Sequence, residues 1–277
     1  MVLGQILCDM TRDSWNLASY LRELAYRGML EEYLPEIKRC YAFEQHNGHH
    51  AHDVFEHTMA SISHIDNSMF YVAKLGISTN MDPQEYKLVL RVTLLLHDIG
   101  KPYCFAMRDG RGTFYGHDKQ SESISRFILK RSQIYNGKYD DSILLLIRNH
   151  MRLMDSFDSK DATIKRMITD VGKEYIPYLI GITYCDLMGG GIPDVARLEV
   201  GKLTKLAIKM VSLVSEQTPS EQPSLCINGK DIADLGFKGK EIGQMLKILH
   251  DRVYTASLAN NREDLLNFAS RYIKNIM

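Results

Sequence analysis

The dipeptide His97-Asp98 ends an apolar run, Leu94-Leu95-Leu96, and is followed at once by Ile99-Gly100-Lys101-Pro102. The run carries an imidazole and a carboxylate toward the interior, where an uncompensated carboxylate is costly. A divalent metal is an economical compensation, because it needs deprotonated ligands of these two kinds. A His-Asp pair standing alone also reads as a hydrogen-bonded core contact. Two other residues favour the metal. His57 opens a helical stretch whose next positions, Met59, Ala60, Ile62 and Ile65, are apolar, so its ring can face inward. Asp186 follows Tyr178, Leu179, Ile180, Ile182 and Tyr184, and a carboxylate in so apolar a helix needs a partner, whether a metal, an arginine or a helix end. The set His57, His97, Asp98 and Asp186 would neutralise a divalent ion and leave positions open, as a catalytic rather than a structural site does. Mixed nitrogen and oxygen ligands suit Mn, Fe, Co, Ni or Zn better than an all-oxygen Mg site.

Lys101 lies one turn beyond His97 and can bring an ammonium to developing negative charge; it also reads as a lysine favoured by a helix end. Asp98 can orient a water as well as bind metal. His117 stands in a Gly-His-Asp turn and His150 ends an apolar helix, which suits a capping and a dipole-favoured histidine respectively. Arg148 and Arg152 flank His150 and could meet a phosphate or simply face solvent. His46, His49, His50 and His52 crowd an irregular segment and read mainly as a solvated loop.

The elements that must position these residues read as helices. Periodicity predicts one over 13–28, a short helix or turn over 29–35, an irregular stretch over 40–53, and one helix over 54–75 ending at Gly76. Asp82-Pro83 caps a helix that Gly100 and Pro102 close after Asp98. Glycines 110, 112 and 116 mark a loop or small hairpin. Helices follow over 119–132, 139–151, 159–171, 173–188 and 194–215. Residues 216–224 are polar, hold two prolines and read as a linker; Asn228-Gly229 marks a turn, and helices are expected near 230–235, 238–255 and 262–275. The fold class is therefore all-α. The expected organisation is an N-terminal helical linker over 1–40, a metal-binding helical domain over 41–215 and a helical tail over 225–277.

The chain has 277 residues, 45% hydrophobic and 25% charged, with no formal net charge, so no global field draws it to nucleic acid or membrane. Its five cysteines are far apart and form no C-x-x-C pair, which excludes a zinc finger and fits a reducing cytoplasm. No signal peptide and no membrane span is expected.

The order His57, His97-Asp98, Asp186 resembles the signature of the HD-domain metal-dependent phosphohydrolases. The surrounding text resembles one branch closely, the C-terminal HD body of bacterial tRNA nucleotidyltransferases (CCA-adding enzymes and poly(A) polymerase relatives). The matching phrases include His52-Asp53-Val54-Phe55-Glu56-His57-Thr58, Leu95 through Pro102, Phe114-Tyr115-Gly116-His117-Asp118, Arg148-Asn149-His150-Met151, and Ile227 through Asp231 in the tail. The resemblance implies an HD helical bundle. It also implies a second metal or phosphate contact at His117 and His150, with Asp98 bridging, and hence one or two ions. The polymerases of that branch carry a nucleotidyltransferase head with an Asp-x-Asp pair. This sequence contains no Asp-x-Asp, no G-x-x-x-x-G-K-[ST] and no G-x-G-x-x-G, so nucleotide addition is not expected.

The resulting expectation is a metal-dependent phosphomonoesterase or phosphodiesterase. Its substrate would be a nucleotide or an RNA-end phosphate such as a 2′,3′-cyclic phosphate, and RNA is the larger partner implied. Asp98 and Lys101 are the candidate catalytic residues; Lys101, Arg148 and Arg152 are the candidate substrate contacts. The competing expectation is a non-catalytic module that binds tRNA or another partner.

Overall fold

The computed structural model describes residues 3–9, 13–48, 50–77, 82–215, 225–254 and 257–274. The fold is all-α, with one small hairpin among the described residues. The chain forms two compact units. One comprises Met1–Phe157 and Val171–Val211; the other comprises Asp158–Asp170 and Ser212–Met277.

The larger unit starts with helices α1 (Leu3–Cys8), α2 (Ser14–Tyr26) and α3 (Leu30–Tyr33), then a 3₁₀ turn at Pro35–Cys40. α1 was not anticipated as a helix; its Leu3, Ile6 and Leu7 are buried. The irregular stretch leads to α4 (Val54–Ser63) and α5 (Ile65–Lys74). Periodicity predicts a single helix here, yet the chain breaks at His64 (φ −94°, ψ 3°). Two serines account for it. Ser61 Oγ donates to the His57 carbonyl and Ser63 Oγ to that of Ala60, so side chains compete with the backbone ladder at the break.

α6 (Pro83–Leu96) is capped by Asp82, whose side chain accepts from the Gln84 amide, and it runs straight into His97-Asp98. After α7 (Lys101–Cys104), strands β1 (Ala106–Arg108) and β2 (Arg111–Thr113) pair antiparallel. Asp109 (φ 48°) and Gly110 (φ 73°) are both left-handed, as a two-residue hairpin turn requires. α8 (His117–Ser132) and α9 (Asp140–Asn149) pack together.

α11 (Ile176–Gly189) is apolar on every side and buried along most of its length, Asp186 included. It packs on α4, α5 and α6, while α4 also packs on α2. α4 and α11 approach unusually closely. A Cβ on Gly189 would stand 2.8 Å from the Ser61 amide nitrogen and 2.9 Å from Ser61 Cα. Ser61 is one turn past His57 and Gly189 one turn past Asp186, so this backbone approach lies beside the two residues of interest.

Helices α10 (Asp161–Val171) and α12 (Pro193–Ser215) precede the tail. In the smaller unit α13 (Gly229–Asp234), α14 (Lys240–Tyr254) and α15 (Arg262–Lys274) share a core of Ile227, Ile232, Phe237, Met245, Leu249, Leu265 and Ala269. Asn228, expected in a turn, is the N-cap of α13 and forms a capping box with Asp231. The proposed linker over 216–224 lies outside the described residues. No helix among the described residues is long and apolar enough to cross a membrane.

Candidate metal centre

Three helix ends converge where α4, α6 and α11 meet. His57 lies in the first turn of α4, His97 and Asp98 follow α6, and Asp186 sits in the last turn of α11. All four are buried, and one ligand atom from each lies within 4.8 Å of the others. His57 Nε2 is 2.9 Å from Asp186 Oδ1 and 3.3 Å from Asp98 Oδ2; His97 Nε2 is 3.3 Å from Asp98 Oδ2 and 3.8 Å from Asp186 Oδ1.

A second group shares Asp98. His117, at the start of α8, and His150, just past α9, bring their Nε2 atoms to 3.3 and 3.8 Å from Asp98 Oδ1. One carboxylate thus turns one oxygen to each group.

The donor set fits a cation on two observations. First, both Asp98 oxygens, both His57 ring nitrogens and His97 Nε2 are buried without a hydrogen bond. The distances above are short but fall off the hydrogen-bonding directions, so these polar atoms converge without satisfying one another. Second, three imidazoles are held alike. Nδ1 of His97, His117 and His150 lies 2.7, 2.8 and 2.7 Å from the carbonyl oxygens of Leu94, Phe114 and Ile147. A carbonyl only accepts, so each Nδ1 carries a proton, and in the neutral ring Nε2 offers a lone pair. His117 Nε2 and His150 Nε2 then face each other at 3.0 Å. Two lone pairs at that separation need a proton or a metal cation between or beside them.

The electrostatics agree. Burial would raise the Asp98 and Asp186 carboxyls, but the histidines, with Lys101 at Asp98, hold both well below the usual range. Burial would lower His57 and His97; the two carboxylates outweigh it, raising His57 and carrying His97 up to about 10. His150 is pushed down to about 4 by burial and by the His117 and His97 rings, and so is neutral at neutral pH. In the metal-free protein His97 therefore holds a proton that a metal must displace. Metal uptake at pH 7 should release a proton, and affinity should rise from pH 6 to pH 8. Calorimetry in buffers of different ionisation enthalpy measures both; uptake without proton release would contradict this account.

Lys101 is buried, its Nζ 2.7 Å from Asp98 Oδ2 and donating to Gln45 Oε1 at 2.8 Å. Gly100 makes this possible. A Cβ there would come within 2.5 Å of the Ser121 nitrogen and 2.8 Å of the His117 carbonyl, so the turn after Asp98 lies directly on the first turn of α8. The Gly100 amide donates to Ser121 Oγ at 3.0 Å. Arg148 is placed elsewhere, pairing with Asp118 and approaching Glu122 at 3.8 Å. Arg152 donates to Asn149 Oδ1 at 3.2 Å.

Sequence reasoning missed three participants. Gln45 is buried and holds Lys101; nothing in an irregular segment marks a polar residue as interior. Phe114 orients His117 through its carbonyl and faces Lys101 with its ring, 5.5 Å from Nζ. His50 is half-buried with its ring edge-on to His57 at 4.7 Å, whereas His46 and His52 are exposed as a solvated loop requires; His49 lies outside the described residues.

Comparison with known proteins finds a likeness over part of the chain. The HD domain family model matches residues 61–175. That span includes His97, Asp98, His117 and His150, while His57 and Asp186 flank it. The A-adding tRNA nucleotidyltransferase of Deinococcus radiodurans is 29% identical over 80% of this chain and 47% of its own length. The bifunctional uridylyltransferase/uridylyl-removing enzymes of Ruegeria pomeroyi and Cereibacter sphaeroides are 26% and 27% identical over 68% of this chain and 20% of their own lengths. The chain thus spans about half of the first relative and a fifth of the other two. Residues 61–175 thus match the HD domain model, and in and beside them lies a buried His/Asp cluster able to hold divalent metal.

Proposed function

We propose that this chain is a divalent-metal-dependent phosphohydrolase acting on a nucleotide or RNA-end phosphate ester, such as a 2′,3′-cyclic phosphate. The observation that carries the reading is Asp98, with one oxygen turned to His57 and His97 and the other to His117 and His150. His57, His97, Asp98 and Asp186 would hold one ion, and Asp98, His117 and His150 a second, drawn from Mn, Fe, Co, Ni or Zn. A bound divalent ion supplies Lewis acidity and a water acidic enough to ionise near neutral pH.

The remaining work belongs to the chain. The carbonyls of Leu94, Phe114 and Ile147 keep three imidazoles in the ligating tautomer. Lys101 presents an ammonium beside the cluster, where it can donate to a phosphoryl oxygen as charge develops. Arg148 and Arg152 would contact a more distant part of the substrate, Arg148 by sharing the guanidinium now held by Asp118. The uridylyl-removing and tRNA-directed names of the relatives favour a nucleotide or RNA-end ester over an unrelated phosphoester.

The test is turnover of bis-p-nitrophenyl phosphate and 2′,3′-cyclic nucleotides by protein whose metal content is known from emission spectroscopy. His97→Ala should lower kcat by more than the roughly 10–100-fold that outer partners of a metal cost. Chelation should abolish turnover and metal addition restore it. Activity surviving His97→Ala and chelation would sink the reading; salt-sensitive tRNA binding without hydrolysis would favour the non-catalytic module.

A further inference from the structure

The segment from Ala42 to Asp53 forms no helix or strand among its described residues, yet it is pinned at both ends and along its length. Asp53 Oδ2 accepts from the Ala42 amide at 3.1 Å, and the Val54 amide donates to the Phe43 carbonyl at 3.1 Å, closing the loop on itself. The Gly112 amide of β2 donates to the His46 carbonyl, and the Ala51 amide donates to that of Gly190, each at 2.8 Å.

Inside this loop Gln45 is only 2% exposed. Its Nε2 donates to the His52 carbonyl at 3.1 Å and its Oε1 accepts from Lys101 Nζ at 2.8 Å. These partners fix the amide's orientation, because a carbonyl only accepts and an ammonium only donates. The flipped amide would lose both bonds. Lys101 Nζ also lies 2.7 Å from Asp98 Oδ2. An ammonium has three N–H groups. Gln45 takes one, and Asp98 Oδ2 pairs with the charge without a hydrogen bond, which leaves N–H groups beside the cluster.

We infer that Gln45 is a positioning residue: it holds Lys101 so that a remaining N–H is presented to an oxygen of a phosphate monoester or diester. Without the amide the ammonium has Asp98 alone and is drawn onto Oδ2, the oxygen that faces His57 and His97. The ligand class rests on the phosphohydrolase reading; the Gln45–Lys101 coupling does not. A plain anchoring role for Gln45, tying the loop to the interior, makes a different forecast.

A double-mutant cycle separates the two. Gln45→Met keeps the side chain's length and removes both bonds; Lys101→Met removes the ammonium. The probes are binding of inorganic phosphate to the metal-loaded protein, followed by calorimetry, and turnover of bis-p-nitrophenyl phosphate. Gln45→Met should weaken phosphate binding and lower kcat by roughly tenfold each, with metal content unchanged. In the Lys101→Met background the same substitution should change neither by more than about twofold. Should Gln45→Met fail to fold, Gln45→Glu runs the same cycle, since a carboxylate there would consume the lysine's charge and its effect should likewise vanish without Lys101. Equal losses with and without Lys101 would make Gln45 a loop anchor and overturn the inference, as would wild-type protein that binds no phosphate. A coupled cycle in phosphate binding, with no phosphoester hydrolysed, would leave Gln45's role standing and remove the hydrolase reading instead.

Discussion

Asp98→Asn is expected to empty both ligand groups and abolish phosphoester turnover. Asp98 is the one residue whose two oxygens address the two groups, so its charge contributes to both. Loss of metal should be accompanied by loss of stability even in chelated protein. Lys101 is buried against Asp98, and breaking a buried ion pair by removing one partner costs about 3–5 kcal/mol because the other charge is left uncompensated. Gln45 still accepts from that ammonium, so a value near about 3 kcal/mol is expected in urea unfolding of the metal-free variant. Asp186→Asn is the informative comparison. Among the described residues Asp186 pairs with His57 and His97, so this variant should lose the first ion and retain the second. Equal metal contents in the two variants would show that Asp98 does not join two sites.

Gly189→Ala should damage the same centre without touching a ligand. The added methyl would meet backbone atoms of Ser61, which cannot swing aside as a side chain can. α4 and α11 must then part, at about 1–3 kcal/mol for an overpacked contact. One turn away along each helix stand His57 and Asp186, whose 2.9 Å approach depends on the same spacing. Metal affinity should fall roughly 10–100-fold, as when an outer support of a metal site is lost. Gly201→Ala is the control: it lies within α12 with nothing within 4 Å of its would-be Cβ, and the change should be neutral or stabilise by up to about 1 kcal/mol. Metal titrations of the two variants should therefore diverge. Similar affinities would show that the α4–α11 approach does not set the ligand spacing.

Much of this centre is visible in local sequence, for identifiable reasons. A helix that is apolar all round must be buried, so Asp186 within α11 announces a compensated interior charge. Asp82-Pro83 acts through the backbone of its own neighbours and fixes the start of α6, whose end at Leu96 falls two residues before the expected one, with Pro102 inside α7. His57 and Asp53 lie in a capped first turn, and Asp53 accepts from the Glu56 amide at 2.8 Å. Such signals survive because capping, helix termination and amphipathic facing are decided within a few residues.

Other features had no local signature. The break at His64 turns on serine hydroxyls choosing backbone carbonyls over water, against an unbroken apolar period. Arg148 looks in sequence like a free cation beside His150, and only the packing of α8 on α9 gives it Asp118. Gln45 lies in a segment without periodicity, where burial depends on β2 and α11 supplying backbone partners to the loop.

The sequence by itself therefore determined the candidate ligand types, the helices that carry them and the ends at which they sit, because each follows from forces acting within a turn or two of chain. Which of those ligands meet was decided only by the tertiary structure. His57, Asp98 and Asp186 share a site because α4 and α11 close to backbone contact at Ser61 and Gly189. His117 joins them because Gly100 lets the turn after Asp98 rest on the first turn of α8. Lys101 points where it does because an amide oxygen from an irregular loop accepts its hydrogen bond. Each of these is a steric or hydrogen-bonding match between distant segments, and no period or cap in either segment alone encodes it.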